Sequence, residues 1–371
     1  MRALLFFLLL VIPANAEPRA RCRELGIAPG DYPPGRHNAI TDVAGVTVGH
    51  STLIEGDSIR TGATAIVPHQ GDVFRRKPPA AIAVGNGFGK LVGSTQVDEL
   101  GQLETPILLT NTLNVWEAAA TLVDRTLAAP GNESVRSVNP VVGETNDGWL
   151  NDIRTRPLTQ KHFRAALDDA YGGPVEEGAV GAGVGTTTMG FKGGVGTSSR
   201  VLPNEAGGFT LGVLVQTNYG GRLTIGGAVI DPPRTQANTG GPPVEYGSCM
   251  IVVATDAPLS ARQLKRVARR ALVGMARTGA NFSHGSGDYV IAFSTAETNR
   301  IPYEGDAVTR AVVVIDEARL TPLFEAAADA TQEAIYNALL QAKTVRGVNG
   351  HTAEALTPDA VRRAISPPPN G

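Results

Sequence analysis

The 371-residue sequence predicts a mixed α/β protein built as one thick domain. Short runs of apolar and β-branched residues alternate with segments whose apolar residues recur at spacings of three and four. The apolar fraction of 42% is enough to bury a large core. Glycine occurs 44 times without a Gly-X-Y repeat, so the sequence excludes collagen and indicates many tight turns.

The predicted elements follow one another along the whole chain. Strands are predicted at 40–48, 61–67, 80–84, 107–112, 141–142, 209–216, 249–254, 289–293 and 311–315. Helical periodicity covers 115–123, 264–275 and 324–339. Ser260 can cap the second helix, and Pro322 suits the first turn of the third. Residues 85–90 are interpreted as a tight turn near a site, because the spacing of a phosphate-binding loop is missing. Residues 284–288 are predicted to form a turn that feeds the strand 289–293, and the alternating Thr187, Met189 and Phe191 fit one arm of a hairpin.

The first sixteen residues have the pattern of a secretory signal peptide. Arg2 precedes an apolar block at 3–12, and small residues at Ala14 and Ala16 predict cleavage after Ala16. The block is too short to span a membrane comfortably. The formal net charge of −2 indicates neither a nucleic-acid partner nor an anionic membrane surface. We therefore expect a secreted or periplasmic protein that is free of the membrane once the signal is removed.

The sequence gives no support for a metal or another cofactor. It has no CxxC or HExxH motif, and its six histidines are scattered. The two cysteines are Cys22 and Cys249, and the second lies in an apolar run where a small buried hydrophobe is typical. Whether the two pair is left open.

The stretch around Ser248 permits an unusual chemistry. Gly247 follows a loop rich in glycine and proline, and Ser248 takes the first position of the buried strand that the apolar run 249–254 predicts. If the chain is cut between Gly247 and Ser248, the new α-amino group, with a pKa of about 7.7–8.0, can accept the proton of the serine hydroxyl. One residue would then supply both nucleophile and base. The alternative from local sequence is a plain glycine turn that enters a strand.

Acyl transfer also needs partners, and the sequence offers candidates for each. The amide of Asn218 and a backbone N–H at Gly287 or Cys249 could stabilise an oxyanion. Ser286 and Asp288 could orient a freed amine, and Glu144 could bind the ammonium group of a substrate. Each also has a structural interpretation, since Asn218 fits a turn and 144–152 fits an Asx-rich turn.

Four motifs stand out: GETNDG at 143–148, GVGTTTMGFKGGVGTSSR at 183–200, YGS at 246–248 and GSGD at 285–288. They resemble those of the L-aminopeptidase D-esterase/amidase family, which includes the β-peptidyl aminopeptidases. The similarity extends from about residue 25 to about 365 and is most specific in the glycine- and threonine-rich stretch at 183–200. The resemblance implies a four-layer α/β/β/α sandwich related to N-terminal nucleophile hydrolases, and a self-cleaved precursor without a metal. The subunits would be 17–247 and 248–371.

The resemblance also implies a role for each candidate residue. Ser248 would be the nucleophile, Asn218 an oxyanion donor, and Ser286 with Asp288 the pair that orients the nucleophile. Glu144 would receive the free amine of a short peptide, amide or ester, beside Asn146 and Gly287. The family further implies an assembly of several self-cleaved heterodimers.

Two positions depart from the family pattern. Asn146 stands where some members have tyrosine, and Asp288 stands where others have glutamate. The preference among small L-residues, D-residues and β-amino acids therefore stays open. Two alternative functions remain: an acyltransferase of the ornithine acetyltransferase-like fold, and a non-enzymatic glycine-rich periplasmic binding protein.

Overall fold

A computed structural model describes residues 19–233, 246–305 and 307–366 of the protein. The predicted signal peptide at 1–16, most of the loop before Ser248 and the proline-rich end of the chain lie outside these residues. The strands are β1 (Thr47–Glu55), β2 (Ile59–Val67), β3 (Arg76–Lys77), β4 (Ala80–Gly87), β5 (Ile107–Asn111), β6 (Val141–Thr145), β7 (Thr187–Thr188), β8 (Phe191–Lys192), β9 (Val195–Val201), β10 (Thr210–Asn218), β11 (Thr224–Ile225), β12 (Ala228–Val229), β13 (Tyr246–Thr255), β14 (Gly285–Ser294), β15 (Ile301–Pro302), β16 (Val345–Arg346) and β17 (Thr352–Ala353). The helices are α1 (Ser94–Leu100), α2 (Val115–Leu127), α3 (Gln160–Asp168), α4 (Ala261–Arg277), α5 (Thr321–Gln341) and α6 (Pro358–Ile365).

Two sheets form the centre of the molecule. One has the strand order β1-β2-β5-β6, and the other has the order β4-β14-β13-β10-β9. Neighbouring strands are antiparallel except for two parallel pairs, β5 with β6 and β13 with β14. The second sheet interleaves strands from before and after position 248, so neither part of the chain forms it alone.

Helices cover the outer face of each sheet. Helices α2 and α3 pack on the four-stranded sheet, and α4 and α5 pack on the five-stranded sheet. Between the sheets, Ile66 and Leu109 of one sheet meet Leu214 and Val252 of the other in a continuous apolar core. The layers therefore run α, β, β, α, and the predicted sandwich is confirmed.

The long helices begin where the sequence indicates. Ser260 accepts a hydrogen bond from the backbone N–H of Gln263 at 3.3 Å and caps α4. Pro322 occupies the first turn of α5, where its missing N–H costs no helical hydrogen bond.

Several predictions of local structure are wrong. Of the predicted strand 40–48, Ile40–Asp42 form a 3₁₀ turn, in which the Asp42 carboxylate accepts from the backbone N–H of Ala39, and β1 begins only at Thr47. Of the predicted turn 85–90, residues 85–87 continue β4, because Asn86 and Gly87 pair with Asp288 and Gly287 of β14.

Residues 311–315 form no strand, because the Asn299 side chain donates to Val313 O at 2.7 Å and accepts from Val313 N at 3.0 Å. These two hydrogen bonds occupy the backbone N–H and C=O of Val313, which a neighbouring strand would otherwise pair. Residues 284–288 were predicted as a turn, yet β14 begins at Gly285 because parallel pairing with β13 extends that far.

Both cysteines are free thiols in the core on the helix side of the five-stranded sheet. Burial raises the pKa of both Cys22 and Cys249, so neither thiol is ionised near neutral pH. Across 19–233, 246–305 and 307–366, no helix has the length and apolar character needed to cross a membrane. The same residues contain no cluster of three or more side chains suited to hold a metal ion.

Candidate active site

Ser248 lies inside a strand. The sequence places it at the first strand position, but β13 already begins at Tyr246, and Ser248 is only 4% exposed. Its Oγ donates to the carbonyl oxygen of Gly247 at 2.6 Å and accepts from the backbone N–H of Gly287 at 3.3 Å. The hydroxyl is therefore held directly beside the carbonyl group that precedes it.

Asn218 and Gly287 flank Ser248 on the two neighbouring strands. Asn218 is its register partner on β10, and Gly287 is its partner on β14. Side chains aligned across a sheet share a face, and Met250, two residues after Ser248, packs between the two sheets. Ser248 and Asn218 therefore both face the gap between the sheets.

The amide of Asn218 is fixed at both ends. Its Oδ1 accepts from the backbone N–H of Thr187 at 3.0 Å, and its Nδ2 donates to the backbone carbonyl of Asn146 at 3.0 Å. An amide nitrogen carries two hydrogens, so Nδ2 retains one for another acceptor. Asn218 is the last residue of β10 and not a turn residue.

Ser286 and Asp288 form a hydrogen-bonded pair on the opposite face of the sheet. Ser286 Oγ donates to Asp288 Oδ1 at 2.8 Å, and both residues align with Val290, which packs toward the helices. The pair is therefore aimed away from Ser248 Oγ. It flanks the Ser248 backbone, since Ser286 and Asp288 are the register partners of Gly247 and Cys249.

The Asp288 carboxyl group is buried and incompletely paired. Among the described residues, its Oδ2 has no hydrogen-bond partner. Burial raises the pKa of Asp288 to about 6, and hydrogen bonding from the Ser286 hydroxyl and from the Cys249 backbone opposes that rise. A positively charged donor placed nearby would satisfy the free oxygen and favour the ionised form.

Glu144 provides a second buried carboxylate at the edge of the four-stranded sheet. Its Oε1 accepts from the backbone N–H of Lys90 at 2.9 Å, and its Oε2 accepts from the Thr112 hydroxyl. Burial raises the pKa of Glu144, while the Thr112 and Lys90 hydrogen bonds oppose that rise. A buried carboxylate with so few positive partners is well suited to an ammonium group.

Residues 88–92, here called the crossing segment, run from the sheet that carries Asp288 to the sheet that carries Glu144. The segment leaves β4 of the five-stranded sheet and reaches the four-stranded sheet, where Val92 pairs with Val142. A methyl group on Gly89 would lie 3.2 Å from Gly287 Cα and 3.3 Å from Glu144 Oε1. Glu144 therefore lies within a small molecule's length of the Ser248 region.

Asn146 is close to the site through its backbone. Its exposed side chain turns back to accept from the N–H of Gly148 at 2.9 Å, which is the predicted Asx turn, while its carbonyl receives Asn218 Nδ2.

The predicted hairpin arm through Thr187, Met189 and Phe191 is shorter than expected. Thr187 pairs with Lys192, but Met189 lies in the turn with a positive φ of 50° and not in an arm.

Sequence reasoning assigned no role to Lys90, Thr112 or Thr187. Lys90 belongs to the GNGFGK stretch that the sequence suggests as a turn near a site, but its contact with Glu144 depends on the path of the crossing segment. Thr112 ends the predicted strand 107–112, and a polar residue at a strand end was the available signal. Thr187 acts through its backbone, so no side-chain pattern could reveal it.

The chain is similar to known proteins over most of its length. The model of peptidase family S58 matches residues 38–353. The β-peptidyl aminopeptidase BapA of Sphingosinicella microcystinivorans is 41% identical, over 98% of this chain and 96% of that protein. The solved structure of a Burkholderia sp. β-aminopeptidase has a TM-score of 0.85 and 40% identity, covering 94% of this chain and all of that one.

A third comparison concerns the L-aminopeptidase D-Ala-esterase/amidase of Ochrobactrum anthropi. Its structure has a TM-score of 0.84 and 38% identity, and covers 93% of this chain and 98% of that chain. That protein is described as a prototype of the serine aminopeptidases and a new variant of the Ntn-hydrolase fold.

Proposed function

This chain belongs to peptidase family S58 and is an aminopeptidase, and we propose that Ser248 becomes its N-terminal nucleophile after the chain cuts itself at Gly247. The observation that carries the proposal is the position of Ser248 Oγ, 2.6 Å from the Gly247 carbonyl oxygen and between its register partners Asn218 and Gly287. The expected resemblance to the L-aminopeptidase D-esterase/amidase family is confirmed, and a non-enzymatic binding protein no longer fits.

The cut follows from ordinary acyl chemistry. Ser248 Oγ adds to the Gly247 carbonyl carbon, the C–N bond breaks, and the hydroxyl proton ends on the Ser248 nitrogen. Water then hydrolyses the resulting ester, which leaves a carboxylate on Gly247 and a free amine on Ser248. No residue outside this pair needs to supply a nucleophile.

The freed amine completes the catalytic arrangement. It can take the proton of Ser248 Oγ when the hydroxyl attacks a substrate carbonyl. Asp288 Oδ2, which has no partner within the described part of the uncut chain, accepts from this amine, and Ser286 holds the carboxylate in place. The free hydrogen of Asn218 Nδ2 and the N–H of Gly287 stabilise the oxyanion.

The substrate is a short peptide, amide or ester with a free amine at its first residue. Glu144 binds the ammonium group, and the crossing segment sets its distance from Ser248. Two relatives at 40–41% identity are named β-peptidyl aminopeptidase and β-aminopeptidase, which supports β-peptides as substrates of this chain. Small L-residues and D-residue derivatives are the competing classes, and parallel kinetics on matched p-nitroanilides would rank them.

Processing is tested on a denaturing gel. The wild type should give two bands, and Ser248→Ala should give one band and no aminopeptidase activity. Ser248→Cys should still be cut, because a thiol is also a nucleophile. Ser294→Ala, at the far end of β14, is the matched control and should be cut normally. Two bands from Ser248→Ala would refute the proposal.

Localisation and assembly belong to the same proposal. The pattern of residues 1–16 supports export to the periplasm, and the intact mass of the exported protein would report cleavage at both Ala16 and Gly247. We further propose that several processed heterodimers associate. Light scattering that gives the mass of a single heterodimer would refute this part alone.

A further inference from the structure

The proposed amine site contains a positive charge of the protein's own. Lys90 Nζ lies 3.8 Å from Glu144 Oε1, the same oxygen that accepts the backbone N–H of Lys90. The Lys90 side chain is 45% exposed and that of Glu144 only 2%. The carboxylate is therefore at the bottom of the site, and the lysine ammonium is at its mouth.

Apart from Lys90, the described groups in contact with Glu144 carry no positive charge. The Thr112 hydroxyl donates to Oε2, and a methyl group on Gly89 would lie 3.3 Å from Oε1 and 3.0 Å from the Tyr289 ring. Among the described residues, Lys90 provides the one cationic side chain within 4 Å of Glu144. A substrate ammonium that approaches Oε1 must therefore share this space with Lys90 or displace it.

Adjacent charges of opposite sign suit a ligand that carries both charges. An ammonium group on Glu144 and a carboxylate on Lys90 would each meet the opposite charge. Because the Lys90 side chain is long and half-exposed, it can move aside for the ammonium and still reach a neighbouring carboxylate. An amine and a carboxylate on the same carbon come closest together, which fits two charged groups 3.8 Å apart.

We propose that the enzyme hydrolyses β-aspartyl peptides, with Lys90 as the residue that binds the α-carboxylate. A β-aspartyl residue carries its free amine and its carboxylate on one carbon, and the scissile carbonyl is one methylene away. It is thus a β-amino acid whose side chain is a carboxylate. The reaction is the same hydrolysis: Ser248 Oγ bonds to the carbonyl carbon, the amide C–N bond breaks, the leaving amine takes a proton, and water releases the aspartate.

This inference rests on the proposed function, and matched substrates separate the two. We would compare β-aspartyl p-nitroanilide with β-homoalanyl p-nitroanilide, in which a methyl group replaces the carboxylate. The processed wild type should cleave both. In Lys90→Met, the ratio of kcat/KM for the β-aspartyl over the β-homoalanyl substrate should fall about fivefold, as expected for a half-exposed ion pair. Lys90→Arg should keep the ratio, and so should Lys161→Met on α3.

Each other outcome has a distinct meaning. Cleavage of the β-homoalanyl substrate alone, or an equal loss on both substrates in Lys90→Met, would overturn the role of Lys90. A third substrate, α-aspartyl p-nitroanilide, tests which carboxyl group of the aspartyl residue forms the scissile bond. A larger loss of kcat/KM in Lys90→Met on this substrate than on the β-aspartyl substrate would overturn the β-aspartyl assignment. If the wild type cleaves none of these substrates but does cleave L-alanyl or D-alanyl p-nitroanilide, the β-aspartyl assignment fails and the proposed function stands. If it cleaves neither alanyl substrate as well, the proposed function itself fails.

Discussion

Asn218 and Ser248 are register partners on adjacent antiparallel strands, and both side chains face the gap between the two sheets. Since the backbone N–H of Thr187 and the carbonyl of Asn146 hold the Asn218 amide, its remaining hydrogen has a fixed direction. Preorganised donors of this kind stabilise a developing oxyanion without reorganisation.

Asn218→Ala should lower kcat about 100- to 1000-fold with little change in KM, as for other oxyanion donors. Steady-state kinetics on an amino-acid p-nitroanilide would measure both constants. Asn146→Ala is the matched control, because within the described part of the chain its side chain accepts from Gly148 alone, while its carbonyl remains in place. We expect less than about a threefold change there. A large loss in Asn146→Ala would instead assign its side chain to substrate binding.

Glu144→Gln should raise KM about 10- to 100-fold for substrates with a free amine, since hydrogen bonds to charged groups contribute about 1.5–3 kcal/mol. The substitution keeps the acceptor for Lys90 N–H and the overall shape but removes the charge. Circular dichroism would confirm that the fold is retained. An unchanged KM would exclude Glu144 as the amine-binding residue.

Gly89→Ala should raise KM several-fold, because the added methyl group would lie 3.0–3.3 Å from Tyr289, Gly287 and Glu144. Gly87→Ala, two residues earlier, provides the control. Its methyl group would meet only Val84 Cγ1 at 3.8 Å, so its kinetics should match the wild type. Equal effects from both variants would mean that Gly89 is not adjacent to the bound substrate.

Asp288 should give the pH–rate profile an acidic limb. Its pKa is about 6 in the uncut chain, and the freed amine of Ser248 would lower that value by favouring the anion. The Ser248 amine must be neutral to act as the base, so kcat/KM should fall first through the pKa of that amine, about 7.7–8.0, and a second time through that of Asp288, at or below about 6. Asp288→Asn should lose the second limb along with most activity, and Asp288→Glu should restore it. A second limb that persists in Asp288→Asn would assign it to another group.

His50 should make the fold sensitive to acid. Burial lowers its pKa from 6.5 to about 4, against a smaller opposing effect of Asp169. Because the unfolded chain then binds more protons, stability is full above pH 6.5 and falls as the pH drops toward 4, by about 3 kcal/mol. Urea unfolding at several pH values would measure this slope. His50→Gln should flatten it, and an unchanged slope would contradict the assignment.

Much of the fold was readable in the sequence because the periodicities are strong. The helix cap at Ser260, the proline at 322 in a first helical turn and the buried run 249–254 correctly predict α4, α5 and β13. The run 311–315 has the pattern of a strand but forms none, because one distant side chain, that of Asn299, satisfies the backbone groups of Val313. Local composition cannot show such a contact.

The candidate site was only partly predictable. The motifs contain Ser248, Ser286, Asp288 and Glu144, and the family resemblance added Asn218, but neither indicates the faces of the sheets that these residues occupy. Those faces follow from the parallel register of β13 with β14, which depends on strands far apart in sequence. The position of Lys90 beside Glu144 depends in turn on where the crossing segment runs.

The interleaved order of the five-stranded sheet has a further consequence. Strands β14 and β13 are held between β4 on one side and β10 on the other, so a cut at Gly247 would divide the chain without dividing the sheet. Parting the two products would require breaking two complete ladders of backbone hydrogen bonds. Once denatured, the two products would have to find each other in solution. Recovery after unfolding would then depend on protein concentration, whereas the intact precursor would refold as a single molecule.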